Sequence, residues 1–130
     1  MNKVAIVYSG YYPEINKNLI DGINKYIDNS FVLSTFKVPG SWDIVYKINT
    51  LSKEYKIFIA VGVICKGKTD HYEYISNAVA NGLINLSINN SVYIANCVLN
   101  VHNLEQAKKR AVGNNNKGSE AAKAINLLFT

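Results

Sequence analysis

The stretch "KIFIAVGVICKGKTDH", from Lys56 to His71, decides the fold. It opens with a nearly continuous apolar run that ends at Cys65, which predicts a β-strand covered on both faces. A long helix is expected to begin at Asp70 or His71, because apolar residues then recur at helical spacing, at Tyr72, Ile75, Val79, Leu83 and Leu86. Asp70 and Glu73 fit a capping box at its start. A buried strand followed by an amphipathic helix is typical of α/β proteins.

The same alternation extends along the whole chain. Three further apolar runs predict strands at Val4–Tyr8, Phe31–Val38 and Ser91–Asn100. Further helices are predicted over Glu14–Tyr26, over Trp42–Leu51 with Ser41 as cap, over Leu104–Val112 with Asn103 as cap, and over Ser119–Leu128. The pattern predicts one domain over residues 1–130, a flavodoxin-like three-layer α/β/α sandwich with a four-stranded, mainly parallel sheet and right-handed crossovers.

Polar and aromatic residues follow each predicted strand, in the segments "SGYYPE", "VPGSWD", "CKGKTDH" and "LNVHN". In open α/β sheets, ligands bind beyond the carboxyl ends of the strands. We therefore expect these four segments to converge at one edge of the sheet and to form the binding site.

Composition limits the class of protein. The chain has 130 residues, is 48% hydrophobic and carries a formal net charge of +5. Its apolar runs are too short to span a bilayer and its first residues do not resemble a secretory signal. Cys65 and Cys97 lie in strand-like runs and indicate reduced core thiols of a cytoplasmic protein, although the sequence leaves a disulfide open. The lysines are scattered, which is weak evidence for nucleic-acid binding.

The octapeptide "GVICKGKT", Gly62 to Thr69, matches the phosphate-loop pattern of nucleoside triphosphatases. Val63, Ile64 and Cys65 nevertheless continue a strand, and no other predicted strand ends in the acidic residue that such enzymes need for Mg²⁺. We therefore interpret the match as accidental. The backbone N–H groups after Gly67 still lie at the start of a helix, where anions are attracted. His71 beside them is either a solvent-exposed histidine or an acid/base group.

Three segments together carry a specific resemblance: "VPGSWDI", "GVICKGKTDHYEYI" and "LEQAKKRAVGNNNKGSEAA". They resemble, in order and at similar spacing, the corresponding segments of the lumazine synthase family. The resemblance covers Val4 to Leu127, nearly the whole chain. It implies condensation of 5-amino-6-(D-ribitylamino)uracil with 3,4-dihydroxy-2-butanone 4-phosphate, without metal or organic cofactor. It also implies a homo-oligomer, either a pentamer or a shell of twelve pentamers (a 60-mer), in which adjacent subunits share each active site.

The resemblance assigns three catalytic residues. His71 matches the acid/base histidine, a task that suits a side chain able to exchange protons near neutral pH. Arg110 matches the arginine that binds the phosphate, and Lys117 matches a pocket lysine. The residues implied to bind substrate are Tyr11, Ser41, Trp42, Asp43, Val63, Ile64, Gly67, Lys68, Thr69, Asn96 and Glu120. Tyr11, Trp42 and Asp43 match the pyrimidine and ribityl pocket, and Gly67 to Thr69 match the phosphate-binding amides.

Some positions depart from the family pattern. Lys68 replaces an uncharged or acidic residue, and Gly10 stands where an arginine is usual. Asn96 replaces a phenylalanine that many members present to the neighbouring subunit. The loop before Lys117 is one residue short. Asn96 favours an alternative function, a flavin- or lumazine-binding or shell-forming protein of the same fold that has lost turnover.

Structural roles remain open for the same residues. Tyr11 is also compatible with an ordinary surface tyrosine, since the chain has nine tyrosines. Trp42 is also compatible with a packing role at the start of a helix. Arg110 and Lys117 are also compatible with solvated charges on a helix surface. Cys65 near His71 permits a nucleophilic interpretation, but a strand thiol is favoured.

Overall fold

Four strands alternate with helices in the structure, a computed structural model that describes residues 2–67 and 71–130. The strands are β1 (Lys3–Ser9), β2 (Val32–Val38), β3 (Ile57–Cys65) and β4 (Tyr93–Val101). The α-helices are α1 (Pro13–Tyr26), α2 (Ile44–Leu51), α3 (His71–Asn90), α4 (Leu104–Lys109) and α5 (Lys117–Phe129), with 3₁₀ turns at Ser41–Asp43 and Gly113–Asn115.

The sheet has the order β2-β1-β3-β4, and every pair is parallel. The flavodoxin-like three-layer sandwich is therefore confirmed, with an all-parallel sheet. The carboxyl ends of the four strands lie at one edge, as the sequence predicted.

Side chains that alternate along the strands build a core on each face of the sheet. On one face Ile6 and Ile59 pack with Leu19 of α1 and Ile125 of α5. On the other face, Phe58 and its neighbours pack with α2 and α3. The apolar positions predicted for α3 all belong to this second cluster. Because helices cover both faces, the strands read as continuous apolar runs.

Several predicted boundaries were wrong by a few residues. Helix α4 ends at Lys109 rather than Val112, because Arg110 already serves as its C-cap. Helix α5 begins at Lys117 rather than Ser119, because the side chain of Asn116 caps it. The predicted cap at Asn103 is confirmed, since its side chain accepts a hydrogen bond from the N–H of Gln106. The predicted cap at Asp70 lies outside the described residues.

The prediction that Ser41 caps a helix was also wrong. Residues Ser41–Asp43 form a 3₁₀ turn, and α2 starts only at Ile44. The Ser41 Oγ makes no hydrogen bond to the described residues. It lies instead against β3, where a Cβ built on Gly62 would come within 2.6 Å of it. Gly62 thus allows the turn to approach the strand closely.

Within the described residues, no helix combines the length and the apolar character that crossing a membrane requires.

Candidate active site

A cavity of about 420 Å³ opens at the carboxyl ends of β1, β2 and β3. We call it the aromatic cavity; its lining residues are Tyr11, Tyr12, Pro39, Gly40, Ser41, Trp42, Asp43, Val63, Ile64, Cys65 and Ile75. It brings together six of the predicted substrate-binding residues, from three separate segments of the chain. Its volume lies in the range of pockets that bind small molecules.

Two exposed aromatic rings mark this cavity. Tyr11 is 66% exposed and Trp42 is 62% exposed, although both belong to turns packed on the sheet. The Tyr11 ring lies next to Gly40, where an added Cβ would stand 3.4 Å from the Tyr Cε2 atom. Large aromatic side chains left exposed beside a cavity are typical of a site that binds a flat, partly apolar ligand.

Asp43 supplies the carboxylate of the aromatic cavity. Its Oδ2 accepts a hydrogen bond from the N–H of Gly40 at 3.0 Å, and its own N–H donates to the Gly40 carbonyl at the same distance. This reciprocal pair fixes the "VPGSWD" turn and the direction of the carboxylate. A carboxylate has acceptor sites for several hydrogen bonds, so it retains capacity for ligand hydroxyls.

The floor of the aromatic cavity is the end of β3. Val63 is 4% exposed and Ile64 is 7% exposed, so both side chains are committed to the core. What these residues offer a ligand is therefore their backbone. The strand assignment of Val63 to Cys65 is confirmed, which removes the loop that a nucleoside triphosphatase would need.

A second cavity, of about 320 Å³, lies beside β4 and α5. We call it the charged cavity; its lining residues are Tyr93, Ala95, Asn96, Val98, Leu99, Asn100, Arg110, Lys117, Glu120, Ala121 and Ala124. It brings together four of the eight remaining predicted residues, Asn96, Arg110, Lys117 and Glu120. The aromatic and charged cavities have no described lining residue in common.

The charged cavity contains a surface ion pair. Lys117 Nζ lies 3.2 Å from Glu120 Oε2, one turn further along α5. The Lys117 N–H donates to the Arg110 carbonyl at 2.8 Å, which brings the two cationic residues together across the turn between α4 and α5. Arg110 is exposed. The Asn96 side chain accepts a hydrogen bond from the N–H of Val98 at 3.0 Å.

His71 is the first residue of α3 and is exposed. Neither it nor Gly67, which is also exposed, lines the aromatic or the charged cavity. Lys68 and Thr69 lie outside the described residues. The side chain of Ile75, one turn into α3, does line the aromatic cavity and so places the start of this helix near it.

The two cysteines are free thiols, which excludes the disulfide left open by the sequence. Cys65 is half-buried and lines the aromatic cavity. Cys97 is 1% exposed, and burial raises the pKa of its thiol to about 12. Lys117 lowers this pKa and Glu120 raises it, both by less than burial does. Cys97 is therefore a neutral core residue.

Sequence reasoning missed several lining residues, notably Tyr12, Pro39, Gly40 and Ile75. Tyr12 and Gly40 directly adjoin the predicted residues Tyr11 and Ser41, and Pro39 lies next to Gly40, so the expected meeting of strand ends could have identified these three. Among the described residues, there is no group of three or more His, Cys, Asp or Glu side chains placed to hold a metal ion.

Comparison with known proteins identifies the family. A family model described as 6,7-dimethyl-8-ribityllumazine synthase matches residues 1–129. The chain belongs to the lumazine synthase family. The family function is that of a transferase in riboflavin biosynthesis.

Individual lumazine synthases align over most of their length. The chain is 42% identical to the 6,7-dimethyl-8-ribityllumazine synthase of Buchnera aphidicola subsp. Baizongia pistaciae, over 92% of this chain and 80% of the relative. It is 38% identical to the enzyme of Wigglesworthia glossinidia brevipalpis, over 98% of this chain and 90% of the relative. The enzyme of Sphingopyxis alaskensis is 35% identical to the chain, over 95% of this chain and 90% of the relative. Each of these three alignments therefore covers at least 92% of the chain.

Proposed function

We propose that the chain condenses 5-amino-6-(D-ribitylamino)uracil with 3,4-dihydroxy-2-butanone 4-phosphate, giving 6,7-dimethyl-8-ribityllumazine, phosphate and water. We also propose that each active site combines the aromatic cavity of one subunit with the charged cavity of the next. One observation carries this proposal. The groups suited to a pyrimidine and those suited to a phosphate occupy two separate cavities of the chain.

The aromatic cavity binds the pyrimidine. Tyr11 and Trp42 offer their exposed ring faces to the heterocycle, since offset and edge contacts between flat rings are favourable. The backbone of Val63 and Ile64 bonds the polar edge of the ring. Asp43 accepts hydrogen bonds from ribityl hydroxyls through the carboxylate oxygens that its turn fixes in place. Ser41 lines the same cavity.

The charged cavity binds the phosphate. Arg110 offers a planar guanidinium whose parallel N–H groups match phosphate oxygens. Lys117 adds a second positive charge, with its Nζ 3.2 Å from Glu120 Oε2. Asn96 lies on the same wall. The family resemblance implies that the segment from Gly67 to Thr69, which precedes α3 in the sequence, contributes backbone amides to the phosphate site. Lys68 and Thr69 lie outside the described residues.

His71 transfers the protons. The uracil amine attacks the carbonyl of the butanone phosphate, and loss of water forms an imine. Loss of a proton from carbon then expels phosphate with its bonding electron pair, and the resulting enol becomes a ketone. The ribitylamino nitrogen attacks this ketone, and loss of a second water closes the ring. Each step moves a proton to or from nitrogen, oxygen or carbon, and an imidazole at the start of α3 suits this exchange. The residues provide the acid/base and electrostatic groups themselves, so we expect no metal or organic cofactor.

The shared site requires a homo-oligomer. We propose a pentamer or a 60-mer built from twelve pentamers. A cyclic ring repeats one head-to-tail contact, so each aromatic cavity faces one charged cavity. We place the enzyme in the cytoplasm, in keeping with its two free thiols, and expect no nucleic-acid or membrane partner.

The test is an assay of the purified protein with both substrates, in which absorbance reports the lumazine chromophore. We expect product well above the uncatalysed rate. The alternative, a binding or shell protein without turnover, predicts no excess product while a ribitylpurine analogue still binds. The relatives described above carry the name of the enzyme, and no finding favours the alternative.

A further inference from the structure

Two buried asparagines hold the turns that carry the site residues. Asn16 is 2% exposed and Asn116 is 8% exposed. Neither asparagine is a described lining residue of the aromatic or the charged cavity. Each is close in sequence to a lining residue: Asn16 follows Tyr12 by four positions, and Asn116 directly precedes Lys117. A buried primary amide group is costly to leave without hydrogen bonds, so the partners it has indicate what it stabilises. Among the described residues, Asn16 makes its side-chain hydrogen bonds through Nδ2 alone, since its Oδ1 has no partner there.

Asn16 holds the turn between β1 and α1. Its Nδ2 donates to the carbonyl of Ser9 at 2.8 Å and to the carbonyl of Tyr11 at 2.8 Å. Because both partners are acceptors, the orientation of the amide is fixed, and an aspartate would place an oxygen against them. The amide thus bridges the last residue of the strand and the aromatic residue that lines the cavity.

The turn that Asn16 holds has an unfavourable backbone conformation. Tyr12 has φ 56° and ψ 58°, in the left-handed region, where a residue with a Cβ is strained. The N–H of Tyr11 donates to Ser9 Oγ at 3.1 Å, and the N–H of Asn16 donates to the Tyr12 carbonyl at 3.1 Å. These bonds compensate the strain, and the direction of the exposed Tyr11 ring depends on them.

Asn116 holds the turn between α4 and α5. Its Oδ1 accepts from the N–H groups of Gly118 at 2.7 Å and Ser119 at 3.1 Å, which caps α5. Its Nδ2 donates to the carbonyls of Asn18 at 3.1 Å and Ala111 at 3.0 Å. Through these bonds it fixes the backbone on both sides of the turn from Arg110 to Lys117.

The neighbouring helix is shaped to admit Asn116. A Cβ built on Gly22 of α1 would lie 2.5 Å from Asn116 Oδ1. A larger residue at position 22 would therefore displace the amide. The close fit indicates that a specific side-chain position, and not only a helix cap, is maintained here.

We propose that Asn16 and Asn116 are positioning residues, each for one half of the active site. Asn16 fixes Tyr11 in the aromatic cavity, and Asn116 fixes Arg110 and Lys117 in the charged cavity. This inference rests on the proposed function, because it assigns the pyrimidine to the first cavity and the phosphate to the second. It adds two residues that touch neither substrate.

The same substitution at both positions gives a matched pair of variants, Asn16→Ser and Asn116→Ser. Serine removes the Nδ2 donor in each case, and at position 116 its hydroxyl still caps α5. We expect Asn16→Ser to raise the KM for the ribitylaminouracil about tenfold, the effect of losing one or two ordinary hydrogen bonds. The KM for the butanone phosphate should change by less than about twofold. Asn116→Ser should show the reverse pattern.

Binding measurements separate this effect from turnover. Calorimetry with a ribitylpurine analogue should show weaker binding only for Asn16→Ser, and calorimetry with inorganic phosphate only for Asn116→Ser. Circular dichroism and the oligomer mass verify that both variants fold and assemble. If both variants shift both KM values by the same factor, or if neither shifts any, the proposal is overturned.

A milder variant keeps the test decisive if Asn16→Ser does not fold. Ser9→Ala removes only the bond between Ser9 Oγ and the Tyr11 N–H. We expect it to weaken binding of the ribitylpurine analogue about threefold, as for one hydrogen bond, and to leave phosphate binding unchanged. Unchanged analogue binding would refute the role of this turn. Wild-type protein that makes no lumazine would instead contradict the proposed function itself.

Discussion

The aromatic cavity and the charged cavity are built in different ways. The aromatic cavity lies on strand ends, with Val63 and Ile64 buried beneath it and the Tyr11 and Trp42 rings exposed above it. The charged cavity depends on the turn after the six-residue helix α4, and its Arg110 is exposed. A rigid floor suits a flat ring, whereas long charged side chains adapt to a phosphate. Neither cavity alone offers both the groups that suit a flat ring and the groups that suit a phosphate. We therefore infer that each cavity is half of a site.

The largest effect is expected at His71, which lines neither cavity. His71→Ala should lower kcat about 100-fold, the lower end of the range for a general acid/base, while both KM values stay within about threefold of wild type. Steady-state kinetics with each substrate varied in turn measure this. His102→Ala is the matched control, since His102 is the other histidine and is also exposed. Equal losses in the two variants would remove His71 from the mechanism.

A smaller and more selective effect is expected at Arg110. Arg110→Ala should raise the KM for the butanone phosphate about 30-fold, since it removes a charge-assisted hydrogen bond to phosphate, with a much smaller effect on the KM for the pyrimidine. Lys109→Ala, which removes an adjacent exposed cation that is not a described lining residue of the charged cavity, is the control. If Arg110→Ala raised both KM values equally, the phosphate would be assigned to the wrong cavity.

The two cysteines differ in burial, and their reactivity can be compared. A thiol reagent at neutral pH should modify Cys65, at the aromatic cavity, and leave the buried Cys97 intact until the protein is denatured. Cys65→Ala should keep activity within about twofold of wild type, because a strand thiol is not a nucleophile here. Loss of activity in Cys65→Ala, with normal folding, would revive the nucleophilic interpretation.

Cys97 also gives a pH dependence of stability. Its pKa is about 12 in the folded protein, against an ordinary value of 9.0. Below pH 9 both states keep the proton, so its contribution is constant. Between pH 9 and 12 only the unfolded state ionises, so the free energy of unfolding falls as pH rises. The thermal midpoint should therefore decline less steeply with pH over this range in Cys97→Ala than in the wild type. Equal slopes in the two proteins would contradict this role of Cys97.

The fold could be predicted from short-range patterns in the sequence. Six of the eleven lining residues of the aromatic cavity could be named from the family resemblance and from the expected meeting of strand ends. Apolar runs locate parallel strands, and the ends of such strands meet at one edge, which brings Tyr11 and Trp42 together. The hydrogen bonds by which Asn116 holds the turn between α4 and α5 could not be predicted in this way. Its bond to Asn18 joins residues 98 positions apart, and its buried environment exists only after folding. Ser41 was misassigned as a cap for a similar reason, since its position is determined by contact with Gly62.

Subunit mixing tests the shared site most directly. His71→Ala and Arg110→Ala are co-expressed at equal levels so that mixed oligomers assemble. Lumazine formation is measured with the butanone phosphate well below its KM, where each variant alone is expected to retain only a few per cent of wild-type activity. A head-to-tail ring with random mixing places an intact aromatic half against an intact charged half at about one interface in four. We therefore expect about a quarter of wild-type activity. Activity no greater than the mean of the two parent variants would show that one chain supplies the whole site, and would contradict the shared-site proposal.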